Sequence, residues 1–156
     1  MKDVVESLIA RNSTAGRDFE LLDRVEAGIE LKGAEVKSLR AHKVNLKDSF
    51  ARIEKGQIWL HGMDVSPYAQ AGPWAPESKR TRRLLLHREQ IQRLEMQLAR
   101  KGFTLVPTKL YFKGSLAKIE LALAQGKKSW DKRETIKKRE ADREISRVLK
   151  FRKGRI

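Results

Sequence analysis

Between residues 103 and 124, apolar and polar side chains alternate on both sides of Gly114, and this constrains the fold more than any other feature of the chain. The period of two predicts two strands, 103–113 and 115–124, joined by a glycine turn. In the first, Val106, Leu110 and Phe112 are expected to face inward and Lys109, Tyr111 and Lys113 outward. In the second, Ile119, Leu121 and Leu123 face in, and Lys118 and Glu120 face out. Pro107 cannot donate to a strand ladder, so a bulge or an edge is expected there. A second hairpin is predicted from 49–54 and 57–65 around Lys55-Gly56, with Ile58 and Leu60 on one face and Trp59, His61 and Met63 on the other. Residues 18–32 alternate as one or two further strands, with Gly28 as a bend or bulge. Phe19 and Phe50 begin strands and read, on position alone, as core.

The helical signals are fewer. Val36 and Leu39 share a helical face over 34–42, with Glu35 and Arg40 beside it. Ile91, Leu94 and Leu98 recur at helical spacing over 87–101 and stop at Gly102. Residues 66–83 hold three of the four prolines and end in Lys79-Arg80-Thr81-Arg82-Arg83, which predicts a long basic loop. The expected fold is therefore mainly β. Six or so strands most economically form an OB-fold-like closed barrel, since open edges aggregate, with two or three flanking helices. An open α+β sheet is the alternative.

Charge divides the chain. Residues 127–156 carry thirteen Lys or Arg against five Asp or Glu, a net +8 of the chain's +15. We expect a barrel domain over 1–126 and a basic C-terminal tail over 127–156. The tail is expected to be disordered when free. Ile136, Ala141, Ile145, Val148 and Leu149 lie near one helical face, so it is expected to become helical on an RNA surface. With 40% hydrophobic residues the rest has enough apolar side chains for a core.

Several function classes fall away. The chain has no cysteine, which removes disulfides and thiolate chemistry. His42, His61 and His87 fall in different elements without metal-ligand spacing. Phosphate-loop and nucleophile-elbow motifs are absent, and a nuclease built from scattered carboxylates such as Asp48 and Asp64 is left as an alternative that no motif supports. No apolar run could span a membrane, and the first residues form no signal-peptide core, so a cytoplasmic protein without enzymatic activity, metal or cofactor is expected.

Excess positive charge points to a polyanion. Lys109, Tyr111, Lys118, Lys127 and Lys128 interleave cations with an aromatic ring on faces expected to point outward, the pattern that clamps phosphates and stacks unpaired bases. Trp130 stands in a polar, basic stretch with no apolar neighbour, which suggests either stacking on RNA or packing back on the barrel. Composition alone fits a ribosome-associated structural or assembly protein equally well.

An ordered series of motifs goes further. Glu26-Ala27-Gly28-Ile29, Gly33-Ala34-Glu35-Val36-Lys37-Ser38-Leu39-Arg40-Ala41, Asn45-Leu46-Lys47-Asp48-Ser49-Phe50, Ser66-Pro67-Tyr68, Arg83-Leu84-Leu85-Leu86-His87, Thr104-Leu105-Val106-Pro107 with Leu110-Tyr111-Phe112, and Gly126-Lys127-Lys128 with Asp131-Lys132-Arg133 resemble, in order, the SmpB family. That family partners transfer-messenger RNA in bacterial ribosome rescue. The resemblance implies an OB-fold RNA-binding protein. It would bind the tRNA-like domain of transfer-messenger RNA and deliver it, with elongation factor Tu and GTP, to stalled ribosomes. The tail would enter the decoding centre and mRNA path.

Carried over by position, the resemblance implies RNA contacts at Asn12, Phe19, Glu26, Arg40, Phe50 and Lys118, with Arg17, Lys37 and Asn45 in the same motifs. It implies ribosome contacts in the tail, among Trp130, Asp131, Lys132, Arg133, Lys137, Lys138 and Arg139. This chain departs from the family at Arg17, where a His is common, at Phe19 and Phe50, where tyrosines are frequent, and at Gln125 and Trp130.

Overall fold

The computed structural model describes residues 6–67, 72–73, 75–100, 102–126 and 138–147. In chain order the strands are β1 (Glu6–Arg11), β2 (Phe19–Ile29), β3 (Val44–Asn45), β4 (Phe50–Glu54), β5 (Gln57–His61), β6 (Asp64–Val65), β7 (Arg82–Leu85), β8 (Phe103–Lys113) and β9 (Leu116–Gly126). The helices are α1 (Ala15–Asp18), α2 (Gly33–Arg40) and α3 (Arg88–Leu98). A fourth, α4, covers 138–147 in the tail. β8 bonds β4, and the order then runs β4, β5, β7, β2, β9 and back to β8. This six-strand ring gives the mainly β, closed architecture expected from the alternation. β8 is long enough to bond β4 near its start (Ala51 opposite Leu105) and β1 along its end (Leu8 opposite Tyr111). β3 and β6 pair separately.

Inside the ring lie Ile58, Leu60, Leu84, Leu105, Leu110, Ile119 and Leu121, all at most 1% exposed, and α3 adds Ile91 and Leu94. The predicted bulge is present: the β8–β9 register shifts between Pro107 and Lys109. An extra residue reverses side-chain parity along a strand. Leu105 therefore joins Leu110 in the ring, and Val106, expected inside, packs outside it. There Val106 meets Ala15 of α1 and Ala124 of β9, with Phe19 and Leu21 against them. Phe112 is inward but only half-buried. Tyr111 faces outward as expected, yet is 5% exposed.

Other differences have equally local causes. The expected strand 57–65 breaks at Gly62, whose φ of +83° turns the chain. Met63 thereby leaves the outer face of Trp59 and His61 and is fully buried. Gly28 marks no bulge; the irregularity in β2 lies between Leu21 and Arg24. Gly28 stays in register between Leu85 and Lys118, and a Cβ there would stand 3.2 Å from that of Leu85. Phe50, expected in the core, is 38% exposed.

The end of the expected basic loop is instead β7, seated between β5 and β2. Arg82 points into the molecule and is 0% exposed. Its Nε donates to Glu35 Oε2 at 2.7 Å, and its terminal nitrogens donate to the carbonyls of Met63 at 2.8 Å, Arg80 at 2.9 Å and Ser78 at 3.1 Å. Glu35, 2% exposed, also accepts from Arg80 at 2.6 Å and from the Lys32 N–H at 2.9 Å, which caps α2. One buried charge pair thus ties α2, β6 and the approach to β7 together.

Candidate RNA interface

β2 and β4 are not neighbours in the ring, but their first residues border the same groove. Phe19 and Phe50 line one open groove of about 480 Å³, with Asp18, Asp48, Ser49, Thr104, Val106 and Gly126. Phe50 is stacked on His61, its cross-strand partner, with centroids 5.2 Å apart and planes at 13°. Gly126 sits opposite Phe19 in the ladder, so β9 ends at this groove, and in the sequence the basic segment follows it. Two aromatic rings in an open groove beside the start of a cationic segment can hold unpaired bases and their phosphates.

Asn12 anchors this end. Its N–H donates to Thr108 O at 2.8 Å and its Nδ2 to Pro107 O at 2.9 Å, while its Oδ1 accepts from the Thr14 hydroxyl at 3.0 Å. The side chain is engaged within the chain and pins the N-terminal segment to the β8 bulge. Arg17 donates to Asp18 at 3.2 Å and is partly exposed.

A second cluster lies on the outer face of β8, β9 and β2. Glu26, Glu120 and Lys109 stand in one cross-strand row, and Gly28, Lys118 and Tyr111 in the next. The Tyr111 hydroxyl donates to Glu26 Oε2, and Lys113 Nζ lies 3.5 Å from Glu26 Oε1. Lys109 Nζ lies 3.3 Å from Glu120 and 5.3 Å from the centre of the Tyr111 ring, and Arg24 reaches Glu120 at 3.1 Å. The Tyr111 bond, with Lys113 and Lys118 nearby, holds the Glu26 carboxyl below its usual range against the upward push of burial. Burial and the Glu26 carboxylate push the Tyr111 phenol up. Glu26 is therefore an ionised acceptor set among cations, not a phosphate clamp.

This gives a direct prediction. Tyr111→Phe removes the largest cause of the depression, so the Glu26 carboxyl titrates at higher pH than in the native chain. Carboxyl NMR through an acid titration reads the shift, and an unmoved Glu26 would refute the assignment. Sequence reasoning missed Leu85 here. It is 49% exposed, faces Gly28 across the ladder, and so borders the row of Lys118 and Tyr111. Its signals were the apolar run Leu84-Leu85-Leu86 and the motif Arg83–His87 that contains it, neither of which marks Leu85 as exposed.

The remaining candidates are dispersed. Arg40, at the end of α2, lies 5.7 Å over the Phe112 ring, and Lys37 is exposed one turn before it. Asn45 on β3 accepts the Lys47 N–H at 2.8 Å. Lys138 and Arg139 are exposed on α4, and Arg139 Nη2 comes within 3.6 Å of the place a Cβ would take on Gly16 in α1. Lys127, Lys128, Trp130, Asp131, Lys132, Arg133 and Lys137 lie outside the described residues. Among the described residues no group of three or more His, Asp or Glu is placed to hold a metal ion, and no helix is long and apolar enough to cross a membrane.

Known proteins are similar to this chain along almost its whole length. The SsrA-binding protein of Carboxydothermus hydrogenoformans is 55% identical over 148 residues, covering 95% of this chain and 99% of that protein. The SsrA-binding protein of Desulforudis audaxviator is 52% identical, covering 93% and 95%. A solved structure described as "tmRNA-SmpB: a journey to the center of the bacterial ribosome" contains a chain 42% identical to this one, with a TM-score of 0.66 over 86% of this chain and 95% of that one. The family model described as SmpB protein matches residues 9–151, which takes in the groove, the charged rows and α4, and the chain belongs to the SmpB family.

Proposed function

We infer that this chain is a ribosome-rescue factor that binds the tRNA-like domain of transfer-messenger RNA and brings it to stalled ribosomes for trans-translation. One observation carries the reading: the chain matches SsrA-binding proteins at about half of all positions along nearly its full length. The groove that unites Phe19 and Phe50 supplies the matching chemistry. The rings stack on unpaired bases, Lys118 and the lysines after Gly126 neutralise phosphates, and Glu26 accepts from base or ribose donors. Arg40 and Lys37 add charge from α2. The chain performs no bond chemistry. It binds and positions, and the alanyl-charged RNA, with elongation factor Tu and GTP, supplies the reacting groups. The basic tail, with Trp130, Asp131, Lys132 and Arg133 near its start, occupies the decoding centre and mRNA path.

Sequencing the RNA that copurifies with the native protein tests this. A single dominant species with a tRNA-like end is expected, whereas ribosomal RNA alone would favour a structural or assembly protein of the ribosome. Phe50 gives the residue-level test because its ring is exposed. Phe50→Ala should weaken transfer-messenger RNA binding by about tenfold, since one stacked base contributes about 1–3 kcal/mol. Unchanged affinity would remove Phe50 from the interface.

A further inference from the structure

The outer face of β4, β5 and β7 carries a second aromatic feature. Arg52 stands opposite Trp59 in the β4–β5 ladder, and Trp59 stands opposite Arg83 in the β5–β7 ladder. Their chain neighbours Ala51, Ile58, Leu60, Arg82 and Leu84 are buried, so all three side chains project from the ring. Directly opposed residues have Cβ atoms about 4.5–5.5 Å apart. An indole is thus flanked on both sides by guanidinium-bearing side chains.

Two observations separate this row from an ordinary charged strand face. On β8, β9 and β2 three of the cations have a carboxylate partner: Arg24 and Lys109 share Glu120, and Lys113 pairs with Glu26. Arg52 and Arg83 are exposed, and among the described residues no carboxylate pairs with either. The row also continues the groove. Trp59 lies two residues along β5 from His61, which stacks on Phe50, a step of about 7 Å.

We propose that Trp59, flanked by Arg52 and Arg83, is a second RNA contact, where an unpaired base stacks on the indole and the guanidiniums hold adjacent phosphates. The inference rests on the RNA-binding reading above. Arginine suits the role because its planar fork matches phosphate oxygens and stacks beside aromatic rings. The strand could belong to transfer-messenger RNA or to ribosomal RNA, and the test separates them.

The full chain is measured against isolated transfer-messenger RNA and, separately, against ribosomes, at several salt concentrations. Trp59→Ala should weaken binding to one of the two by about tenfold. The ligand affected identifies the source of the base. Trp59→Phe should recover most of the loss because a stacking plane returns. Arg52→Gln with Arg83→Gln should reduce the salt dependence of that same affinity by about 1.4 in slope, or about 0.7 per single-strand phosphate contact. Both arginines are exposed, so this variant stays informative if Trp59→Ala melts early. Native affinity of Trp59→Ala for both ligands overturns the proposal. So does a ribosome defect in the arginine variant that Trp59→Ala does not share, since that marks an acidic protein surface. If the unaltered chain binds neither ligand, the rescue reading fails instead.

Discussion

Glu35→Ala should lower the melting temperature by roughly 10 °C, because removing one partner of a buried ion pair costs about 3–5 kcal/mol. The cost arises at Arg82. Its guanidinium is 0% exposed and would remain charged, with three backbone carbonyls and no bonded carboxylate, only the more distant charge of Asp64. Replacing both partners by apolar residues often costs little elsewhere. Here Glu35→Leu with Arg82→Met should stay costly, because the carbonyls of Met63, Ser78 and Arg80 lose their donor. The pH dependence follows. Burial by itself pushes the Glu35 carboxyl up, but the bonds from Arg80, the Lys32 N–H and Arg82 outweigh it, and the group titrates below its usual 4.5. Its stabilising contribution is therefore complete above the unfolded carboxylate range and is lost as pH falls through the lowered folded value. Melts between pH 7 and 3 should steepen at the acid end in the native chain and flatten in Glu35→Gln. An unchanged acid limb in Glu35→Gln would place the acid sensitivity elsewhere.

The contrast between what the sequence disclosed and what it hid has a physical pattern. The hairpin of β8 and β9 and the turn at Lys55-Gly56 were legible because alternation and turn residues are local signals. The bulge at Thr108 was announced by Pro107, but its effect on parity was not, so Val106 and Leu105 exchanged faces. β7 has only four residues and begins inside a basic run, which reads as solvated loop. Nothing local marks Arg82 as buried, because its partner Glu35 lies 47 residues away. The same limit governs the candidate interface. The motif series pointed to the family and named Phe19 and Phe50, yet only the strand order shows that they share a groove. Glu26 could be named as a candidate, but its bond from Tyr111 required the ladder of β8, β9 and β2. Alternation separates Trp59 from the face of Ile58 and Leu60, but its two arginines become visible only through the register.

A chain ending at Gly126 should keep its fold and its RNA, and lose its action on ribosomes. Among the described residues the ring closes with β9, which ends at Gly126 and bonds both β2 and β8 along its length. Among the described residues, every core residue precedes that point. Arg139 approaches Gly16, but on the exposed α4, so its loss removes a surface contact. The truncated chain should therefore melt within a few degrees of the full one. The groove and the rows of Glu26 and Lys118 stay intact, while the thirteen cations after Gly126 are lost. Affinity for transfer-messenger RNA should fall modestly, and the fall should shrink as salt is raised, because lost phosphate contacts act through counterion release. Tagging of nascent chains on stalled ribosomes should drop to background, since the tail is the segment assigned to the decoding centre. Tagging at the normal rate by this truncated chain would overturn the division of roles. Loss of transfer-messenger RNA binding together with tagging would move the main RNA contact from the ring to the tail.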